Sequence, residues 1–318
     1  MRDMGVRIKV ASNKLLFLVR IFGLIQLVIG LIALYYGPLE IYCFYLFSKG
    51  GSLYYEEFGV GSFMFAFLVV QNLAYYLLAF SLIPMGIGTL RLREWGRQVS
   101  MVFLFVWIIL GISIFIGFVF ALPRFLEDTN APAVGAIAFI IVLFGIIAPY
   151  VLIRFYKARS IRDLFRKEEA GQALSKIPST ILLVTMLNIL FIILLHISIF
   201  FKGIFPVFGE FRFHREGVPL ISGAIFCLSI IAYLYYRKHI WALRGLVAYY
   251  SLMLVSVVMT FGKYSISDII RLLDYPQYEY DNVISVFSVF ENFNLTLFLA
   301  SVIIITIWAI LSSRKELH

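Results

Sequence analysis

Eight stretches of this 318-residue chain carry no charged side chain over a length close to, or beyond, what a bilayer crossing requires: Ile21–Leu39, Phe58–Leu90, Gln98–Pro123, Thr129–Ile153, Ile177–Phe201, Gly217–Tyr236, Gly245–Gly262 and Asn292–Ser313. A membrane-spanning helix needs about 20 largely apolar residues, and only Gly245–Gly262 sits at the short end of that range. None of the windows alternates apolar and polar residues with a period of two, the pattern of a transmembrane strand. In hydrocarbon a single segment satisfies its backbone polar groups only by coiling into a helix. The pattern predicts an all-α, polytopic helical bundle with about eight transmembrane helices. Composition agrees: at 62% hydrophobic and 14% charged residues, the chain has too little polar surface to coat a globule in water.

The connections between windows alternate in basic content. One set holds Arg2 to Arg20, then Arg91, Arg93 and Arg97, then Arg154 to Lys176, then Arg237, Lys238 and Arg244, and finally Arg314 and Lys315. This set carries 20 of the 27 basic residues, whereas 12 of the 18 acidic residues fall in the other set. Lysine and arginine are retained on the cytoplasmic side, so both termini are expected in the cytoplasm and the protein in the cell (plasma) membrane. The net charge of +9 is then a topology signal. A nucleic-acid partner is not expected, because no soluble basic domain carries the charge. Membrane lipids are the expected surroundings, with other membrane subunits as further partners. The first window is too long for a cleaved signal, and the bulky Tyr35-Tyr36-Gly37-Pro38 follows it. Cys43 in an outer loop and Cys227 in the sixth span lie at different depths, which argues against a disulfide.

The layout of the first four spans recurs in the last four. Each half has a short basic inner turn with a Trp, namely Arg91-Leu92-Arg93-Glu94-Trp95-Gly96-Arg97 and Arg237-Lys238-His239-Ile240-Trp241-Ala242-Leu243-Arg244, and Trp95 and Trp241 lie 146 positions apart. Four spans per half gives a parallel 4+4 internal repeat. It divides the chain into a first transmembrane half (1–157), a basic cytoplasmic linker (158–176) and a second half (177–318). Arg93, Trp95, Arg97, Arg237, Trp241 and Arg244 are expected to anchor the inner interface, where amphipathic rings and snorkelling cations are most stable. The Gly86–Arg97 stretch, with its Gly-rich approach and Arg-Glu-Trp-Gly-Arg turn, resembles an inner turn of small prokaryotic four-helix integral membrane proteins. The resemblance covers twelve residues and implies no activity. The second half lacks both the Gly-rich approach and the Trp-Gly-Arg order.

Between the halves, Ile153, Tyr156, Ile161, Leu164 and Phe165 interspersed with Arg and Lys suggest a helical extension lying against anionic headgroups, followed by a solvated Glu168–Gln172 linker. The outer loops are larger and aromatic: Gly37–Glu57, Lys202–Val218, and a segment in which Ser265 and Asp268 form a capping box for a short helix. That helix sets Ile266, Ile269, Ile270 and Leu273 on one face and stops near Pro276. Asp274, Glu279 and Asp281 do not have the spacing of a calcium loop and read as solvated acids.

Chemistry-bearing residues are few at membrane depth. Intramembrane charge marks transport paths and active sites because it costs several kcal/mol, yet no Asp, Glu or Lys lies well inside a window. The polar set is Gln26, Gln71, Asn72, Asn188 and His196. The amides are expected to tie helices together at about 1 kcal/mol each, or to line a cavity in which Gln26 and Asn188 face each other. His196 is expected to bond a neighbouring helix. No nucleophile elbow, zinc-binding helix, P-loop or paired carboxylates occur, so no catalytic, cofactor or metal residues are assigned and an enzyme is not favoured. The leading expectation is a non-catalytic accessory or scaffold subunit. The alternative is a transporter or flippase for an apolar or lipid-like substrate. Third is a lipid-modifying enzyme using Glu210, His214 and Glu216.

Overall fold

The computed structural model describes residues 2–48, 52, 59, 61–128, 131–166, 178–287 and 294–316. It is built from helices α1 (Arg2–Phe47), α2 (Phe63–Leu90), α3 (Glu94–Asp128), α4 (Ala131–Val142), α5 (Ala148–Lys157), α6 (Arg159–Arg166) and α7 (Ser179–Phe200). After a hairpin of β1 (Phe205–Val207) and β2 (Glu210–Arg212) come α8 (His214–Tyr236), α9 (Ile240–Phe261), α10 (Ile266–Leu272), α11 (Gln277–Phe287) and α12 (Leu295–Ser312). Among the described residues, eight helices are long and apolar enough to cross a membrane, with α4 and α5 forming one of them. The protein is a multi-pass, all-α membrane protein.

Three expectations need correction. The first outer loop does not begin at Gly37: α1 continues to Phe47 with Pro38 inside it, and Cys43 is therefore helical. Proline removes one donor, and Ile41, Tyr42 and Tyr45 carry an exposed apolar face on beyond it within the same continuous helix. The Lys202–Val218 segment is also no irregular loop, since it holds the hairpin and the first turn of α8. The basic linker is helical where it is described: Ile161 and Phe165 of α6 are buried against Val19, Met101 and Tyr156, so its apolar face meets protein and not headgroups. Glu168–Gln172 lies outside the described residues.

The chain divides into two compact units that cut across several helices. The first comprises Met1–Tyr55, Leu68–Leu104 and Tyr150–Ser179. Here α1 and α2 touch backbone to backbone through small residues: a Cβ added to Gly86 would meet the Leu27 nitrogen at 2.7 Å. Gly23 and Gly30 lie against α2 in the same way. The turn into α3 buries an ion pair. Arg97 is 7% exposed; its Nε donates to Glu94 at 2.8 Å, and its Nη1 donates to the Tyr156 carbonyl at 3.0 Å.

The second unit comprises Glu56–Phe67, Phe105–Pro149 and Thr180–His318. Its central helix is α9, packed on α12 and α8. Leu243, Leu246, Tyr250, Met253, Val257 and Thr260 are buried at alternating spacings of three and four, the seam that left-handed helix pairs interdigitate. Between α4 and α5 the helix widens into a π-helical turn, Leu143–Ile147, in which the Ala148 N–H reaches back to the Leu143 carbonyl. The next bond in that register would come from residue 149, which is proline and has no N–H. The Phe144 carbonyl is left over, and the Trp107 indole of α3 donates to it at 3.1 Å. Gly111 and Gly145 allow the approach: a Cβ on Gly111 would stand 2.2 Å from the Gly145 oxygen.

Candidate functional site

The aromatic end of the second unit carries an apolar cavity of about 410 Å³, within the range of small-molecule sites. Its lining comes from ten apolar side chains and Ser198. Short α10 contributes Ile266, Ile269, Ile270 and Leu273, while Phe201, Phe261 and Phe298 close the sides from the ends of the spans. The predicted capping box is present: the Ser265 side chain accepts from the Asp268 N–H, and Asp268 accepts from the Ser265 N–H at 2.9 Å. These bonds, chiefly the one from the Ser265 hydroxyl, hold the Asp268 carboxyl below its usual range. The local sequence thus starts α10 at Ile266 and lays its isoleucines over the cavity.

Two contacts hold this roof in place. Glu279 of α11 is 4% exposed and accepts the first amide of α2, Phe63 N–H, at 2.9 Å. A carboxylate at a helix N-terminus meets unsatisfied donors and the positive end of the dipole. The reading of Glu279 as a solvated acid is corrected, because the helix end provides the partner that allows its burial. Lys202 forms the second contact: its ammonium donates to the Asp274 carbonyl at 2.6 Å and lies 4.4 Å from the centre of the Tyr275 ring. The Tyr275 hydroxyl is buried and has no hydrogen-bond partner among the described residues. Burial, with the Glu279 charge second, pushes its pKa up to about 12.

The hairpin follows directly on Ile204, which lines the cavity, and contributes no lining residue of its own. Phe205 pairs with Arg212 and Val207 with Glu210, around a two-residue turn at Phe208 and Gly209 with φ of 41° and 100°. Positive φ at both central residues is the tight turn that suits strand twist. The turn amides bond to α9, Phe208 N–H to Ser256 Oγ at 3.1 Å and Gly209 N–H to Thr260 Oγ1 at 2.9 Å, while Ser256 donates to the Pro206 carbonyl at 2.7 Å. Non-helical backbone beside apolar spans is tolerated only when its polar groups are satisfied, and here a serine and a threonine one turn apart do so. Sequence reasoning missed both residues. The available signal was an X-Gly pair between two short segments of alternating character.

The polar residues singled out in the sequence are dispersed. Gln26 donates to Ser100 at 3.2 Å; Gln71 donates to Glu40 at 3.0 Å and Asn72 to the Gly37 carbonyl at 2.8 Å, tying α2 to α1. Asn188 donates to the Val184 carbonyl and accepts from the buried Tyr250 hydroxyl at 2.9 Å, linking α7 to α9. Gln26 and Asn188 each engage a partner within their own unit. His196 is exposed and bonds the Ile192 carbonyl of its own helix, not a neighbouring one, because that oxygen lies within reach one turn away. None of these five lines the cavity.

The two inner turns share a backbone but not an environment. Leu92 and Lys238 both adopt positive φ, and the amides of Arg93 and His239 each reach back five residues, to Gly88 and Leu234. Trp95 is half-buried against Gly88, whereas Trp241 is 72% exposed, with the Arg244 guanidinium 4.7 Å from its ring centre. Arg93 is half-buried and Arg237 exposed. Arg97 is corrected from interfacial anchor to buried ion-pair partner, because Glu94 on the same turn compensates its charge. Glu210 and Glu216 both accept from Arg212, at 2.7 and 2.8 Å. Among the described residues no three His, Cys, Asp or Glu converge on a possible metal position. The chain matches no protein-family model, no curated protein and no solved structure.

Proposed function

We propose that this multi-pass membrane protein is a non-catalytic accessory subunit that holds the apolar chain of a lipid-like molecule in the cavity beneath α10. The lining carries the reading: ten apolar side chains and one serine hydroxyl, which is already bonded to the Leu194 carbonyl of its own helix. Such a surface offers an apolar chain burial at about 25 cal/mol per Å² and gives a polar ligand no partner. The position also suits a lipid, since the cavity lies at the ends of α7, α9 and α12, where chains and headgroups adjoin. In this reading α10 serves as the roof and the aromatic residues at the ends of the spans as walls. The protein sits in the plasma membrane with both termini and the Trp turns in the cytoplasm, as the basic residues direct. The matching backbones of the two turns support an internal duplication.

Titration of the detergent-solubilised full chain with a fluorescent single-chain fatty acid analogue tests the assignment. Saturable binding is expected. Ile269→Trp, which fills the cavity from α10, should weaken it at least ~10-fold, the effect of losing about 1.4 kcal/mol. Equal binding by the well-folded Ile269→Trp protein would refute the cavity as the site. A carrier, the alternative, would in addition move the probe across a sealed vesicle, and an accessory protein would not.

A further inference from the structure

In the first unit, chain segments far apart in sequence converge on one apolar cluster. Val19, Met101, Tyr156, Ile161 and Phe165 are buried in it, with Leu15, Leu92, Phe155 and Leu164 packed against them. The neighbours of these residues in sequence are cations: Arg20 follows Val19, Arg91 and Arg93 flank Leu92, Arg154 precedes Phe155, and Arg159 and Arg162 bracket Ile161. A side chain fixed in the cluster fixes its neighbour to the perimeter. One buried knot therefore gathers cations that are up to 142 positions apart into a collar.

Among the described residues, few acidic side chains stand near the collar. Among the described residues of this unit, Glu94 is closed on Arg97, and Asp163 is the other acid near the collar. Arg20, Arg91, Arg154, Arg159 and Arg162 are exposed, and none lies within ion-pair distance of a described carboxylate. The Arg154 guanidinium is positioned instead by a neutral group, donating to the Tyr150 hydroxyl at 2.9 Å. Because α6 has its apolar face buried in the cluster, Arg159 and Arg162 stand on a docked helix and not on a loose tether.

Lipid-facing surface begins on the same helix faces. Phe17, three residues before Arg20, is 65% exposed, and Val151, three residues before Arg154, is 56% exposed. Residues three apart share a helix face. A lipid whose chains lie on Phe17 and Val151 therefore brings its headgroup to the two arginines. We propose that this collar binds the phosphate-bearing headgroup of an anionic membrane phospholipid. The site is independent of the apolar cavity in the second unit.

Native mass spectrometry of the full chain in mixed micelles tests this, with phosphatidylglycerol and phosphatidylcholine as competing probes. Wild-type protein should retain phosphatidylglycerol preferentially. The Arg154→Gln/Arg159→Gln/Arg162→Gln variant should lose roughly fivefold in affinity per charge removed, as about 1 kcal/mol per basic residue near a headgroup implies. Asp163→Asn should move the affinity the opposite way, which keeps the test decisive if the triple variant fails to fold. Arg237→Gln, at an exposed cation of the second unit that does not line the cavity, should leave it unchanged. Equal retention of the two lipids, or an unaltered phosphatidylglycerol affinity in the folded triple variant, would overturn the proposal. Full displacement by soluble pyrophosphate, with no selectivity between lipids, would assign the collar to a free phosphate instead and overturn the lipid.

Discussion

At the scale of single residues, burial without a partner is the informative state. Tyr275 keeps its hydroxyl buried and unbonded, while the phenol is held protonated by its surroundings and by the Glu279 charge. The folded-state pKa of about 12 lies above the ordinary phenol value of 10.0. The stabilising contribution of the protonated phenol is therefore complete below pH 10 and is lost as the pH rises from 10 to 12. Thermal unfolding of the detergent-solubilised protein across that window should show wild type losing stability with pH more steeply than Tyr275→Phe. At neutral pH the substitution should be neutral or slightly stabilising, since it removes an unsatisfied polar atom. A clear loss at neutral pH would mean that the hydroxyl has a partner. Glu279 teaches the complementary lesson. Its burial was not legible in the sequence, because the group that permits it is the first amide of α2, 216 residues away.

At the scale of elements, what the sequence made legible was what local chemistry decides. The eight spans follow from charge-free length, and α10 follows from a Ser265–Asp268 capping box and four isoleucine or leucine positions on one face. The hairpin has a local signal in its X-Gly turn, but the use of Ser256 and Thr260 depends on α9 folding alongside it, so no local pattern announces those two partners. The π-helical turn is of the same kind, since Pro149 marks a missing donor but the compensating group sits on α3. Trp107→Phe should therefore destabilise the protein by about 1–2 kcal/mol, the cost of an unsatisfied carbonyl moderated by what membrane helices recover elsewhere. In a Pro149→Ala background the helix can supply its own N–H, and the same change should cost less. Additive effects in the double-mutant cycle, measured by unfolding in detergent, would disprove the coupling.

At the scale of the whole molecule, the asymmetry of charge is the governing feature. The set of connections to which the Trp turns belong holds 20 of the 27 basic residues, and the candidate cavity lies at the aromatic ends of its spans. Single cysteines at Arg93 and Trp241, in a Cys43→Ser/Cys227→Ser background, should react with an impermeant maleimide only after the membrane is opened. A cysteine at Glu210 should react in intact cells. The reverse labelling would invert the topology and place the cavity on the cytoplasmic face. Hydropathy made the crossings legible, whereas the division into two compact units was not, because its limits fall inside α2 and α3 and follow packing.

The indole that closes the Phe144 carbonyl also acts as a detent between two lipid-bathed rods. Sliding α4–α5 along α3 by one helical pitch would strand that oxygen in hydrocarbon and drive the Gly145 backbone into a neighbour of Gly111 that has a side chain. The pair therefore has one permitted register, and any motion in this part of the protein must carry both rods together.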